Sequence, residues 1–347
     1  MNTAASDAPI RVRHGVLRDA RVSVFGVMKD EQFYLPSFLD HHRRLGVEQF
    51  LILDDRSSDG TTELLAAQPD CVVLESDYTF GQAVAMPGQQ DRRVRGAVAF
   101  KTWIPRLFLE GRFALCLDAD EYLLLPPGLR SVAELAEYVE RRDIVSVAAS
   151  LIDFFPATLD EMLARREFPT GEAMLGAHGH FDAVPLIDWD AQQQRWTRVN
   201  ESATARLFRK HRVKTVPANM QWAPRWLNRA LPYRYPKTSV SKTPFVHWVD
   251  GVEYANTHRT NVEASSALLV GLAHVKFTYD LARRMDYALE SKVYVRGSRK
   301  YEWYVELLDA MRASDRSFLG PRSIHYRRPQ DLADAGLARL ASGTGQA

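Results

Sequence analysis

Three acidic clusters each follow a short apolar run, and carboxylates placed this way are the side chains of this sequence best suited to chemistry. Lys29-Asp30-Glu31 follows RVSVFGVM, Asp54-Asp55 opens the turn-rich DDRSSDGT after QFLIL, and Asp118-Ala119-Asp120-Glu121 interrupts LCLDADEYLLL. The third cluster is the most pointed. In an extended chain Asp118 and Asp120 project to one side and Glu121 to the other. Two carboxylates on one side suit a hard divalent cation, Mn2+ or Mg2+, which prefers oxygen ligands and bridges to substrate phosphates. A charged turn is the commoner explanation of an isolated D-x-D, but here a buried strand precedes it and two other acidic strand ends lie nearby. DDRSSDGT reads as an Asx/Ser turn entering a helix, with Asp59 as N-cap. Such a turn does not need both Asp54 and Asp55, whose oxygens can accept hydrogen bonds from a nucleoside's base N–H or ribose hydroxyls.

The elements that must position these clusters are legible as alternating strand and helix patterns. Arg21–Met28, Gln49–Leu53, Cys71–Leu74, Phe113–Leu117 and Ile144–Leu151 are short apolar runs that predict strands. Leu35, Phe38, Leu39, His42 and Leu45 follow helical spacing up to Gly46, and a second helix is expected from Thr61 to Ala67. A longer helix is expected over Gln90–Glu110, kinked at Pro105. Continuous apolar strands alternating with helices indicate an α/β fold with a mainly parallel sheet covered on both faces. Open sheets of this kind bind ligands beyond the carboxyl ends of their strands, where all three acidic clusters would converge. Past residue 155 the pattern weakens into aromatics and prolines. The last third reads as helical, over Ala264–His274 and Tyr279–Met311, with an aromatic cluster at Tyr301, Trp303 and Tyr304. Residues 1–20 and 333–347 read as flexible ends.

At 347 residues the chain can bury a sizeable core in one large or two ordinary domains. A net charge of only +2 gives no reason to invoke nucleic acid. Arg195–Arg234 is locally basic, which suits phosphates or an anionic membrane surface, although an ordinary solvated face is the commoner reading of such a run. Cys71 and Cys116 sit in apolar runs, as buried reduced thiols do. With no secretory h-region at the N-terminus and no apolar stretch of about 20 residues, a cytoplasmic protein is expected, with peripheral membrane contact left open.

KDEQFYLPSFLDHHRRLGVEQFLILDDRSSDGT followed by LDADEYL resembles the glycosyltransferase family 2 group, in its bacterial branch with the N-E-x-x-Y-L-x-E-W…Y-H-x-x-L-G-V…D-x-S-x-D-G-T pattern. LIDFFP, GHFDAVP, RLFRK, SKTPFVHW, NTHRTN and LAHVKF resemble the branch's successive downstream blocks, so the likeness covers roughly residues 21–310. It implies a GT-A (nucleotide-diphospho-sugar transferase) fold. Residues 21–155 would be its nucleotide-sugar-binding half, 156–278 its acceptor-side and metal-completing half, and 279–332 its C-terminal helices. It implies further that Glu31, Asp54 and Asp55 contact the nucleoside and that Asp118 and Asp120 bind the metal. His274 would complete the metal shell and Lys276 would clamp the diphosphate, with His258 as the rival ligand. Asp30 stands where the branch has Asn, and Ser37-Phe38 where it has Glu-Trp.

The activity implied is inverting, metal-dependent transfer of a sugar from a nucleotide-diphosphate donor, a UDP- or GDP-sugar, to a glycan or lipid-linked acceptor. Such a displacement needs a carboxylate to take the acceptor proton. Asp182 in GHFDAVP is the expected base, with Asp188, Asp190 and Glu201 as competitors. Two other classes stand as alternatives. A sugar-phosphate nucleotidyltransferase would carry a Gly-rich basic loop where this chain has FGVMKDEQFY, and a non-catalytic binding module on the same fold would show a broken D-x-D.

Overall fold

The computed structural model describes residues 9–86, 89–214, 235–291 and 299–341. The chain opens with β1 (Arg11–His14), β2 (Val22–Met28), α1 (Leu35–Arg44), β3 (Gln49–Asp54), α2 (Thr61–Ala66) and β4 (Cys71–Glu75). The pair β5 (Ala83–Met86) and β6 (Gln89–Arg95) leads into α3 (Gly96–Phe108), β7 (Phe113–Cys116), β8 (Glu121–Leu124), α4 (Val132–Glu140) and β9 (Ser146–Asp153). Shorter elements follow: α5 (Leu159–Ala164), α6 (Gly171–Ala177), β10 (His180–Asp182), β11 (Ile187–Asp190), β12 (Arg195–Arg198) and α7 (Ala203–Lys210). The chain then forms β13 (Ser241–His247), β14 (Leu268–His274), α8 (Tyr279–Ser291), α9 (Arg299–Ala313), β15 (Ser323–His325), α10 (Pro329–Asp334) and β16 (Arg339–Leu340).

Among the described residues ten strands form one sheet in the order β1-β4-β3-β2-β7-β13-β9-β14-β16, with β8 also paired to β14. The architecture is α/β, a large mixed sheet flanked by helices. Strands alternate their side chains between two cores. Val24, Phe50, Ile52 and Val73 face one, which takes in α1 and α4; Phe25, Leu51, Leu53, Val72 and Leu74 face the other, against Phe100 and Ile104 of α3. Burial on both faces is what makes these strands continuous apolar runs. A third cluster joins Phe155, Leu207, Phe208, Phe277 and Phe318 to α8 and α9.

The expected mainly parallel sheet is mixed. β2 runs parallel to β3 and β7, β3 to β4, and β9 to β14. β13, however, lies antiparallel between β7 and β9, and β1, β8 and β16 are antiparallel to their partners. Strand direction depends on where the chain re-enters the sheet, which no local pattern encodes. The helix expected over Ala264–His274 is strand β14. Leu268 to Ala273 are all buried, so the segment has no polar face to offer a surface helix. Likewise the helix expected from Gln90 starts only at Gly96, because Arg93–Arg95 pair with Ala83–Ala85. Tyr279–Met311 contains two helices, α8 and α9, and residues 292–298 between them lie outside the described residues. The ends expected to be flexible contain β1, paired to β4, and β16, paired to β14. Residues 1–8 and 342–347 of those ends, and 215–234 of the basic segment, lie outside the described residues. Cys71 and Cys116 are buried and free. No helix among the described residues is long and apolar enough to cross a membrane.

Candidate functional site

The turn between β7 and β8 carries Asp118, Ala119 and Asp120 into a cleft of about 510 Å³. Its placement begins with Gly26. A Cβ there would stand 2.4 Å from the Leu117 carbonyl oxygen, so only glycine lets β2 lie this close to the approach to the turn. The turn is closed by Glu121 N–H donating to the Asp118 carbonyl at 3.1 Å and by Asp118 N–H donating to Glu121 Oε2 at 2.9 Å. β8 is pinned to α1 by two histidines. His41 Nε2 meets the Leu123 carbonyl at 2.8 Å, and Leu123 N–H donates to His42 Nε2 at 3.3 Å. Burial lowers both imidazole pKa values, which keeps the rings neutral and able to serve as fixed struts.

On its other side β8 pairs with β14, and the register sets His274 opposite Glu121. Val275 N–H donates to the Asp120 carbonyl at 2.9 Å. His274 Nε2 therefore stands 3.1 Å from Asp120 Oδ2. The parallel register of β14 with β9 brings Asp153 alongside, where its Oδ1 lies 3.8 Å from His274 Nδ1 and 2.9 Å from Lys276 Nζ. Burial alone would raise the Asp153 pKa, but Lys276 and His274 outweigh it and hold the carboxyl below its usual range. Glu31 lines the same cleft, gripped by the Arg284 guanidinium at 2.7 and 3.3 Å. Arg284 also donates to the Asp30 carbonyl at 2.7 Å and pairs with Asp280. Burial, with Asp120 and Asp280 close by, pushes the Glu31 carboxyl up to about 8 against the opposing pull of Arg284.

Asp118 also lines the cleft, but its carboxylate is already engaged. Lys101 Nζ from α3 lies 3.2 Å from one oxygen and Lys242 Nζ from β13 lies 3.4 Å from the other. Burial works against ionisation here, yet the two ammoniums hold Asp118 well below the usual carboxylate range. Lys242 is fully buried and also pairs with Glu121 beneath the turn. Among the described residues no group of three His, Cys, Asp or Glu side chains is placed to hold a metal ion. The expected set of Asp118, Asp120 and His274 thus resolves into an adjacent pair, Asp120 and His274, and a second carboxylate, Asp118, held between two lysines. The pair retains the oxygen and imidazole donors that a hard divalent cation accepts.

His258 lines the cleft as well, with its Nδ1 3.2 Å from Ser239 Oγ, and burial beside Lys242 and Lys101 pushes its pKa down to about 4. Asp54 and Asp55 share the sheet edge but hold the local turn. Asp54 accepts from Ser57 N–H at 3.1 Å and Thr62 Oγ at 2.7 Å, while Asp55 accepts from Phe80 N–H at 3.2 Å and so fixes a residue of the cleft wall.

None of the carboxylates expected as base lines this cleft. Asp182 lies in a separate cavity, where it accepts from Arg206 at 2.7 and 3.1 Å and from Ser323 Oγ at 2.6 Å. Asp188 pairs with Arg339 at 3.1 Å, Asp190 caps the β11–β12 turn, and Glu201 pairs with Arg209. Asp182→Asn should accordingly weaken folding by about 1–3 kcal/mol through its lost charged hydrogen bonds. Urea unfolding of the wild type and the variant checks this, and an unchanged midpoint would mean that the pair with Arg206 is solvated and adds nothing to the fold.

Sequence reasoning missed Lys101, Lys242, Asp153 and Arg284. For Lys101 and Asp153 a signal existed. Each is a lone charge inside an apolar run (AVAFKTWIP and SLIDFFP), and charges are seldom buried unless paired, whereas Lys242 stands among Ser241, Thr243 and Pro244 and shows no such signal. Arg284 sits on amphipathic α8 and carries no such mark. No protein-family model matches the chain, and no curated protein matches its sequence.

Proposed function

We propose that this chain is a glycosyltransferase of GT-A type, which moves a sugar from a UDP- or GDP-sugar, with inversion, to a hydroxyl of a glycan or lipid-linked glycan. The observation that carries this reading is the pair Asp120–His274 at the head of two paired strands, facing a cleft that Glu31, Lys276, Arg284 and Arg95 also line. A nucleoside diphosphate offers such a cleft both hydroxyl donors for carboxylates and anionic oxygens for cations. Asp120 and His274 would hold a manganese or magnesium ion, which when bound supplies positive charge to the departing diphosphate. Lys276 offers a compact ammonium at the same wall, and Asp153 fixes its position. Arg284 holds both Glu31 oxygens at the cleft wall, and their remaining lone pairs would accept from the nucleoside.

Calorimetry with UDP, GDP, UMP and GMP, with and without manganese, tests the proposal. With metal present, one diphosphate should bind at least about tenfold more tightly than its monophosphate, a difference of about 1.4 kcal/mol. Equal and negligible affinity for all four would remove the reading.

A further inference from the structure

Beside the main cleft lies a smaller cavity of about 200 Å³, and the two share His258, His274, Lys276 and Tyr304 as a common wall. We propose that this second cavity is the acceptor subsite and that it takes a single sugar ring stacked on Trp303. The assignment rests on the transferase reading of the main cleft and names the acceptor which that reading leaves open.

Its size argues for one ring. Sites for larger organic ligands usually span about 300–1,000 Å³. The lining is divided in the way a pyranose is divided. Trp303, half-buried, and Phe208 supply an apolar side, while Ser239 and Thr238 supply hydroxyl groups. A pyranose has a C–H face that packs on an aromatic ring and a rim of hydroxyls that needs donors and acceptors. An acyl chain would lay apolar surface against the Ser239 and Thr238 hydroxyls and the Lys237 and Lys276 side chains, which the hydroxyl rim of a pyranose can hydrogen-bond. The polar side is also held in place. Ser239 Oγ bonds the Ser241 carbonyl at 3.1 Å and meets His258 Nδ1 at 3.2 Å, while Thr238 Oγ meets Ser202 Oγ at 2.7 Å. Tyr304 is buried, packed edge-on to Phe277 at 5.9 Å between centroids, so the aromatic wall rests on the helical core rather than on a loose loop. The four residues common to both linings make this cavity and the donor cleft neighbours, and an acceptor subsite for a direct displacement has to adjoin the donor.

The test uses the whole chain and the methyl glycosides of glucose, galactose, mannose and N-acetylglucosamine as probes, observed by saturation-transfer NMR with manganese and UDP or GDP present. At least one glycoside should bind, Trp303→Ala should weaken it at least about tenfold, the loss expected where about 1.4 kcal/mol of contact is removed, and Trp303→Phe should restore part of it. Ser239→Ala should weaken the same glycoside, which keeps the test decisive if Trp303→Ala does not fold. The proposal is overturned if no glycoside binds folded wild type, or if binding is indifferent to both Trp303→Ala and Ser239→Ala. Nucleotide titration of the same samples separates the two readings. Glycoside binding that depends on Trp303 in a protein that binds no nucleotide would overturn the acceptor role along with the transferase reading. Nucleotide binding without glycoside binding would overturn the subsite alone.

Discussion

Asp120→Asn is expected to lower both manganese affinity and nucleotide-diphosphate affinity, and to remove most of the dependence of one on the other. Under the proposed function the carboxylate, 3.1 Å from His274, would supply one of two adjacent protein donors, and a cation so held would leave several positions for diphosphate oxygens. Each partner then provides ligands or charge that the other needs, so the two affinities rise and fall together. The loss should be at least the roughly 10–100-fold that follows when only an outer-shell partner of a metal is removed. His274→Ala should act in the same direction more mildly. His258→Ala should leave the coupling intact, because its ring nitrogen meets Ser239 rather than Asp120. Manganese titration with and without UDP or GDP measures all three, with thermal melts as the folding control. Coupling lost in His258→Ala but kept in His274→Ala would move the metal to the other histidine, and coupling unchanged in every variant would remove the site.

The second large effect concerns folding. Lys242 is fully buried beneath the turn, its ammonium shared between Asp118 and Glu121, and those two carboxylates hold its pKa above the usual lysine value despite burial. Lys242→Met removes the cation and leaves Glu121 buried with its charge uncompensated. Breaking a buried pair from one side costs about 3–5 kcal/mol, whereas replacing both members by apolar groups is often near neutral. Lys242→Met should therefore lose about that much stability in urea unfolding, and Lys242→Met with Glu121→Leu should recover a substantial part. A single variant within about 1 kcal/mol of wild type would mean that the pair is solvated and does not set the turn. The same reasoning ties this lysine to function. It also neutralises Asp118, and so leaves Asp120 and His274 as the pair available to a cation.

Much of the strand framework was readable because burial on both faces leaves a local mark. Val22–Met28, Gln49–Asp54, Cys71–Glu75 and Phe113–Cys116 are buried over nearly their whole lengths, are mostly apolar, and stand within a residue of the expected boundaries. The same logic exposed the acidic strand ends, since a carboxylate directly after a buried strand must emerge at the sheet edge. It failed at Leu268–His274, where an all-apolar run is equally compatible with a buried helix and a central strand. It failed again at Gln89–Arg95, where pairing with Ala83–Met86 outweighs helical spacing.

By itself, then, the sequence determined an α/β chain whose carboxylates gather at strand ends, and it grouped Glu31, Asp54, Asp55, Asp118 and Asp120 at one sheet edge, of which Glu31, Asp118 and Asp120 line the cleft. Only the tertiary structure decided which of them are available. The β8–β14 register places His274 beside Asp120, and β13, entering antiparallel between β7 and β9, brings Lys242 under Asp118. It also sends Asp182 to another cavity against Arg206. Periodicity records whether a side chain is buried. Partnership between distant segments is set by backbone hydrogen bonding across the sheet, and a one-residue change of register would turn His274 to the opposite face.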